Sequence, residues 1–82
     1  HSFPTRRSSD LQALNLYRQL GDRLGQADAL NRLGTVRYQT GEYGQAADLH
    51  EQALNLYRQL GNRGGQADAL NRLGAVRRFT GE

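Results

Sequence analysis

Apolar residues along this chain recur at three- and four-residue steps and stop at glycines. Ala13, Leu14, Tyr17 and Leu20 share one face of a helix that begins by Leu11, and Gly21 supplies the left-handed residue that ends it. A second helix is predicted from about Arg23 to Thr40, with Ala27, Leu30, Leu33 and Val36 three apart and Ala29 beside them. Gly41 closes it. The third runs from Tyr43 to Leu60 and turns Tyr43, Ala46, Ala47, His50, Ala53, Leu54, Tyr57 and Leu60 inward. After Gly61 a fourth follows from Arg63 to Thr80, with Gly64-Gly65 placing two poor helix formers in its first turn, where fraying is expected. Asp22 and Asn62 each precede a helix and offer a side-chain oxygen to its unpaired amides. Glu42 puts a negative charge at the positive end of the third. Connections of about two residues force neighbouring helices antiparallel, so the fold class is all-α, built of antiparallel hairpins.

The second half of the chain copies the first. Gln12–Glu42 aligns without a gap on Gln52–Glu82 at an offset of 40, and only Asp22/Asn62, Leu24/Gly64, Thr35/Ala75, Tyr38/Arg78 and Gln39/Phe79 differ. A period of this size marks a stacked-repeat protein, in which one unit cannot bury its apolar face alone. Gly34 and Gly74 sit mid-helix, where glycine costs about 1 kcal/mol relative to alanine, so close approach of a neighbouring helix is expected there. Residues 22–61 form one complete hairpin, 11–21 the end of a preceding helix and 62–82 the first helix of a further unit. The chain is expected to be a piece of a longer array. Residues 1–10, HSFPTRRSSD, stand outside the pattern and resemble a translated sequencing adapter, so they are expected to be disordered or a fortuitous extension of the first helix, without function.

Composition narrows the class further. The net charge of +3 comes from eleven arginines against eight acids, with no lysine and no cysteine. The absence of thiols fits a reducing compartment, and no apolar run approaches a membrane span, so a cytoplasmic protein without membrane contact is expected. The arginines are spread with the repeat and interleaved with Asp and Glu, a solvated surface rather than the basic stripe of a nucleic-acid binder.

The residues resemble a tetratricopeptide repeat. Leu30, Leu33, Gly34, Gly41, Tyr43, Ala46 and Ala53 stand at that family's large, Leu-Gly, turn-Gly, Tyr and small positions, and Leu70, Leu73, Gly74 and Gly81 repeat them. Arg37 and Arg77 depart from the pattern, as do His50 and the lack of a closing proline. HEAT or armadillo units of similar length are the alternative architecture. The 40-residue period and the Ala53–Arg63 ending resemble a long-unit subclass found in polarity scaffolds, motor light chains and bacterial regulators with a nucleotide-binding switch ATPase. The resemblance implies a solenoid fragment that contacts neighbouring repeats of its own chain and binds a protein or peptide in a concave groove. Its alternative role is as the sensor or autoinhibitory arm of a bacterial nucleotide-dependent transcription regulator; a nucleic-acid-binding helical domain ranks lower.

Groove positions would be Asp28, Asn31, Arg32, Thr35, Tyr38 and Gln39, then Asp68, Asn71, Arg72, Ala75, Arg78 and Phe79. They lie off the Leu30-Leu33 stripe, and three of the five differences between the copies fall among them. Arg32, Arg72 and Arg78 are suited to carboxylates, Asn31 and Asn71 to a peptide backbone, and Tyr38 and Phe79 to an apolar side chain. The expected partner is thus an acidic or C-terminal peptide carrying a large apolar residue. The competing expectation is that Asp28 and Arg32, at i and i+4, pair with each other on the surface. His50 stands alone among acids on other faces of its helix, without an HExxH or a phosphate loop, so a packed histidine is expected and neither an enzyme nor a cofactor site.

Overall fold

Four helices are joined by turns of two or three residues in the computed structural model, which describes residues 6–81. They are α1 (Arg6–Leu20), α2 (Arg23–Gln39), α3 (Tyr43–Leu60) and α4 (Arg63–Thr80). Gly21, Gly41, Gly61 and Gly81 all have positive φ, between 68° and 81°, which is the conformation that ends each helix without a steric cost. Asp22 and Asn62 accept from the amides of Gly25 and Gly65, each at 2.8 Å. The exchange of Asp for Asn between copies therefore leaves the cap intact.

Helices adjacent in sequence pack against each other, and α4 also touches α2, giving a slab of about 39 × 34 × 15 Å. The core joins Leu14 of α1, Ala27, Ala29, Leu30 and Leu33 of α2, Ala53, Leu54 and Tyr57 of α3, and Ala69 of α4. Small side chains at 27, 53 and 69, each wholly buried, let the helices approach closely. Three glycines mark the tightest contacts. A Cβ at Gly25 would stand 2.3 Å from the Tyr17 ring and one at Gly65 2.2 Å from the Tyr57 ring, so the ring of each preceding helix lies flat on the start of the next. One at Gly34 would meet the His50 imidazole at 2.7 Å. The close approach expected at Gly34 is thus made, and the side chain that needs it is His50.

Several expectations change. The first helix begins at Arg6, so residues 6–10 extend it, one of the two alternatives for that segment; residues 1–5 lie outside the described residues. Leu20 and Leu60 were placed on the apolar faces but are 76% and 43% exposed, each being the last residue of its helix, beside the turn. Leu70 is 49% exposed where its counterpart Leu30 is 4% exposed: α2 packs against α1 and α3, whereas among the described residues α4 has only α3 and, more lightly, α2 beside it. The Gly64-Gly65 turn is helical from Arg63 onward, because Gly65 is the seat of the Tyr57 ring.

Candidate functional site

The face built from α2 and α4 is held by a chain of polar contacts that begins inside the core. Asn31, 4% exposed, donates through Nδ2 to Asp68 Oδ2 at 2.7 Å, and its Oδ1 stands 2.7 Å from Nδ1 of the fully buried His50. Arg72 Nε reaches both Asp68 oxygens at 3.0 and 3.1 Å, and its guanidinium donates to the Thr35 hydroxyl on α2. Thr35 in turn donates to the carbonyl of Asn31 at 3.2 Å. Four side chains thereby tie α2 to α4 around one buried imidazole. Burial, with a smaller contribution from the Arg72 charge, lowers the His50 pKa from 6.5 to about 4, so the ring is neutral near pH 7. On the other side of α2, Tyr57 donates its hydroxyl to Asp28, and burial with that bond raises its pKa.

Two hollows open beside this network and share Thr35 and Arg72. The larger, about 360 Å³, is lined by Asp10, Arg32, Thr35, Val36, Gln39 and Arg72. The smaller, about 160 Å³, is bounded by Thr35, Tyr38, His50, Arg72 and Ala75. Next to it the Tyr43 and Phe79 rings stack at 5.0 Å, and Tyr38 stands edge-on to Phe79 at 5.7 Å. Phe79 remains 60% exposed.

Of the twelve groove positions, Arg32, Thr35, Tyr38, Gln39, Arg72, Ala75 and Phe79 come together around these hollows. Asn31 does not offer its amide to the surface, since both ends are used inside the protein. Asp68 serves Asn31 and Arg72, Asp28 serves Tyr57, and Asn71 and Arg78 are exposed away from both hollows. The surface pair expected between Asp28 and Arg32 is not the one made: Arg32 faces Asp10 of α1 at 3.7 Å, while the i, i+4 pair forms in the second copy between Asp68 and Arg72. The difference has a local cause, because the hydroxyl of Tyr57 occupies Asp28.

Three participants escaped the sequence reading. Tyr43 joins the aromatic cluster, His50 borders the smaller hollow, and Asp10 is buried at 4% exposure with its Oδ2 unpartnered. The offset of 40 is the signal that finds the last, since Asp10 is the counterpart of His50 and inherits its buried place. The arginines at the unusual positions also acquire reasons, Arg37 pairing with Glu42 at 3.1 Å and Arg77 with Glu51 at 3.0 Å.

Comparison with known families agrees with this geometry. The tetratricopeptide repeat model matches residues 7–59, and the chain belongs to that family. Its class is that of a helical repeat scaffold whose members mediate protein–protein interaction. No curated protein and no solved structure matches the chain. Among the described residues no helix is long and apolar enough to cross a membrane.

Proposed function

We propose that the α2–α4 face binds an extended segment of a partner protein that carries an acidic residue next to a large apolar one. The observation that supports this reading is the adjacency of the two hollows. One is flanked by the Arg32 and Arg72 guanidinium groups, and the other opens beside Tyr38 and Ala75, with the exposed Phe79 ring at its edge. Arginine matches a carboxylate with two parallel donors, and an exposed aromatic cluster supplies apolar contact area at small entropic cost. Arg72 is already oriented by Asp68 and Thr35, so it meets a ligand in a fixed position, while Arg32 is 69% exposed and free to adjust. Arg78 lies farther along α4 and adds positive charge around the face. The same face is open to an intramolecular partner in a longer regulatory chain.

Fluorescence anisotropy with a panel of acidic, basic and apolar peptides tests the reading. Peptides joining Asp or Glu to Leu or Phe are expected to bind best, and Arg32→Ala with Phe79→Ala to weaken them at least tenfold. Arg72 is left intact because its loss would disturb the α2–α4 contact itself. Indistinguishable affinities across the panel, or no effect of the paired substitution, would remove the proposal.

A further inference from the structure

We infer that the smaller hollow between α2 and α4 receives a tyrosine side chain of the partner segment, whose phenol hydroxyl donates to Nε2 of His50. This rests on the peptide-binding reading and names the large side chain that enters. His50 is 1% exposed and borders that hollow. Its Nδ1 is already satisfied: Asn31 gives its NH₂ group to Asp68, so the edge it turns to the ring, 2.7 Å from Nδ1, is an oxygen that accepts the ring N–H. Nε2 is then left with a lone pair, and burial keeps the ring neutral near pH 7. Among the described residues no hydrogen bond reaches Nε2. A Cβ on Gly34 would stand 2.7 to 2.9 Å from Cε1, Nε2 and Nδ1 alike, so the face of the ring rests on α2 and the in-plane lone pair is not aimed at the Gly34 backbone. Buried polar atoms are almost always paired, so an open acceptor on the wall of a hollow marks where a donor belongs.

The rest of the wall selects which donor. The hollow holds about 160 Å³, close to the cavity of about 150 Å³ that takes one benzene ring. Tyr38 and Ala75 give it apolar sides, which a serine or threonine hydroxyl would leave unfilled. Arg72 spends Nε on Asp68 and one further N–H on Thr35, so its guanidinium keeps N–H groups for a phenol oxygen. A tyrosine thus fills the space, donates to His50 and accepts from Arg72; phenylalanine or leucine does only the first. Thr35, Tyr38 and Ala75 stand at positions where the two copies differ, so this hollow is particular to the junction of these two units.

Fluorescence anisotropy compares three acidic peptides that differ at one position, carrying Phe, Tyr or O-methyltyrosine. The Tyr peptide is expected to bind about tenfold tighter than the Phe peptide, and the O-methyl peptide no tighter than Phe, because it has the oxygen without the donor. Ala75 is half-buried and takes no part in the bonds around His50, so Ala75→Leu is expected to fill the hollow and abolish the preference. Nitrogen-detected NMR gives an independent readout: the His50 Nε2 resonance is expected to move upfield with the Tyr peptide and to stay in place with Phe. A Phe peptide that binds through Arg32 and Phe79 but equals the Tyr peptide in affinity would overturn this inference and leave the broader reading standing. Failure of all three peptides to bind would remove both. An Nε2 resonance unmoved by the Tyr peptide, or a Tyr preference that survives Ala75→Leu, would also overturn it.

Discussion

Asp68 decides which nitrogen of His50 carries the proton, although the two side chains belong to different repeats. A carboxylate offers only acceptors, so the edge of Asn31 that lies 2.7 Å from Asp68 is its NH₂ group. That turns the Asn31 oxygen toward His50 Nδ1, also at 2.7 Å, and an oxygen there requires an N–H on the ring. His50 is therefore the Nδ1–H tautomer, with Nε2 unprotonated. One charge on α4 orders an amide on α2 and an imidazole on α3, so the contact between repeats is read in the interior of the first.

Replacing Asp68 by alanine frees the Asn31 amide to turn over. Nitrogen-detected NMR of wild type, with His50 assigned by comparison with His50→Gln, is expected to show a single Nδ1–H tautomer. Asp68→Ala is expected to show a mixture and a loss of about 1–3 kcal/mol of stability from the unmet amide. A wild-type ring already in the Nε2–H form would contradict the geometry.

Acid should weaken the fold before the carboxylates are all protonated. The folded-state pKa of His50 lies below its unfolded value, 6.5 falling to about 4, so between those pH values the unfolded chain holds the extra proton. Stability is complete above about pH 6.5 and is lost as pH falls, by about 3 kcal/mol at pH 4. Urea melts at pH 7, 5 and 4 measure it, and His50→Gln is expected to flatten the dependence. Equal slopes in the two proteins would assign the acid sensitivity elsewhere.

The same substitution should have opposite signs in the two copies. Gly34→Ala drives a methyl group into the His50 ring and is expected to cost about 2–3 kcal/mol. Gly74→Ala meets nothing within 4 Å and is expected to raise stability by up to about 1 kcal/mol through helix propensity. Thermal melts of the two variants and the parent compare them.

Neighbouring glycines in the first turn of α4 provide a second contrast. A Cβ at Gly64 would lie 3.7 Å from its nearest neighbour, Asn62 Oδ1, so Gly64→Ala is expected to stabilise by about 0.5–1 kcal/mol. Gly65→Ala places its methyl 2.2 Å from the Tyr57 ring and is expected to destabilise by about 2 kcal/mol or more. Chemical denaturation resolves the difference, and similar values for both would mean that the Tyr57 ring moves aside freely.

Helix positions, turns and caps were legible in the residue pattern because they rest on local physics. Glycine permits the left-handed turn, Asp22 and Asn62 reach the third amide of the helix that follows, and the apolar stripe repeats with the helical period. The repeat at an offset of 40 likewise determined the repeat architecture and membership of its family. Tertiary structure decided the rest, because identical residues meet different neighbours. Leu30 and Leu70, or Asn31 and Asn71, are indistinguishable in sequence, yet one of each pair is covered by α3 and the other is not. The route from His50 through Asn31 to Asp68 and Arg72 joins three helices and reaches from position 31 to position 72, a juxtaposition that no local pattern encodes. Periodicity assigns a side chain to a face; what lies opposite that face depends on how the helices stack.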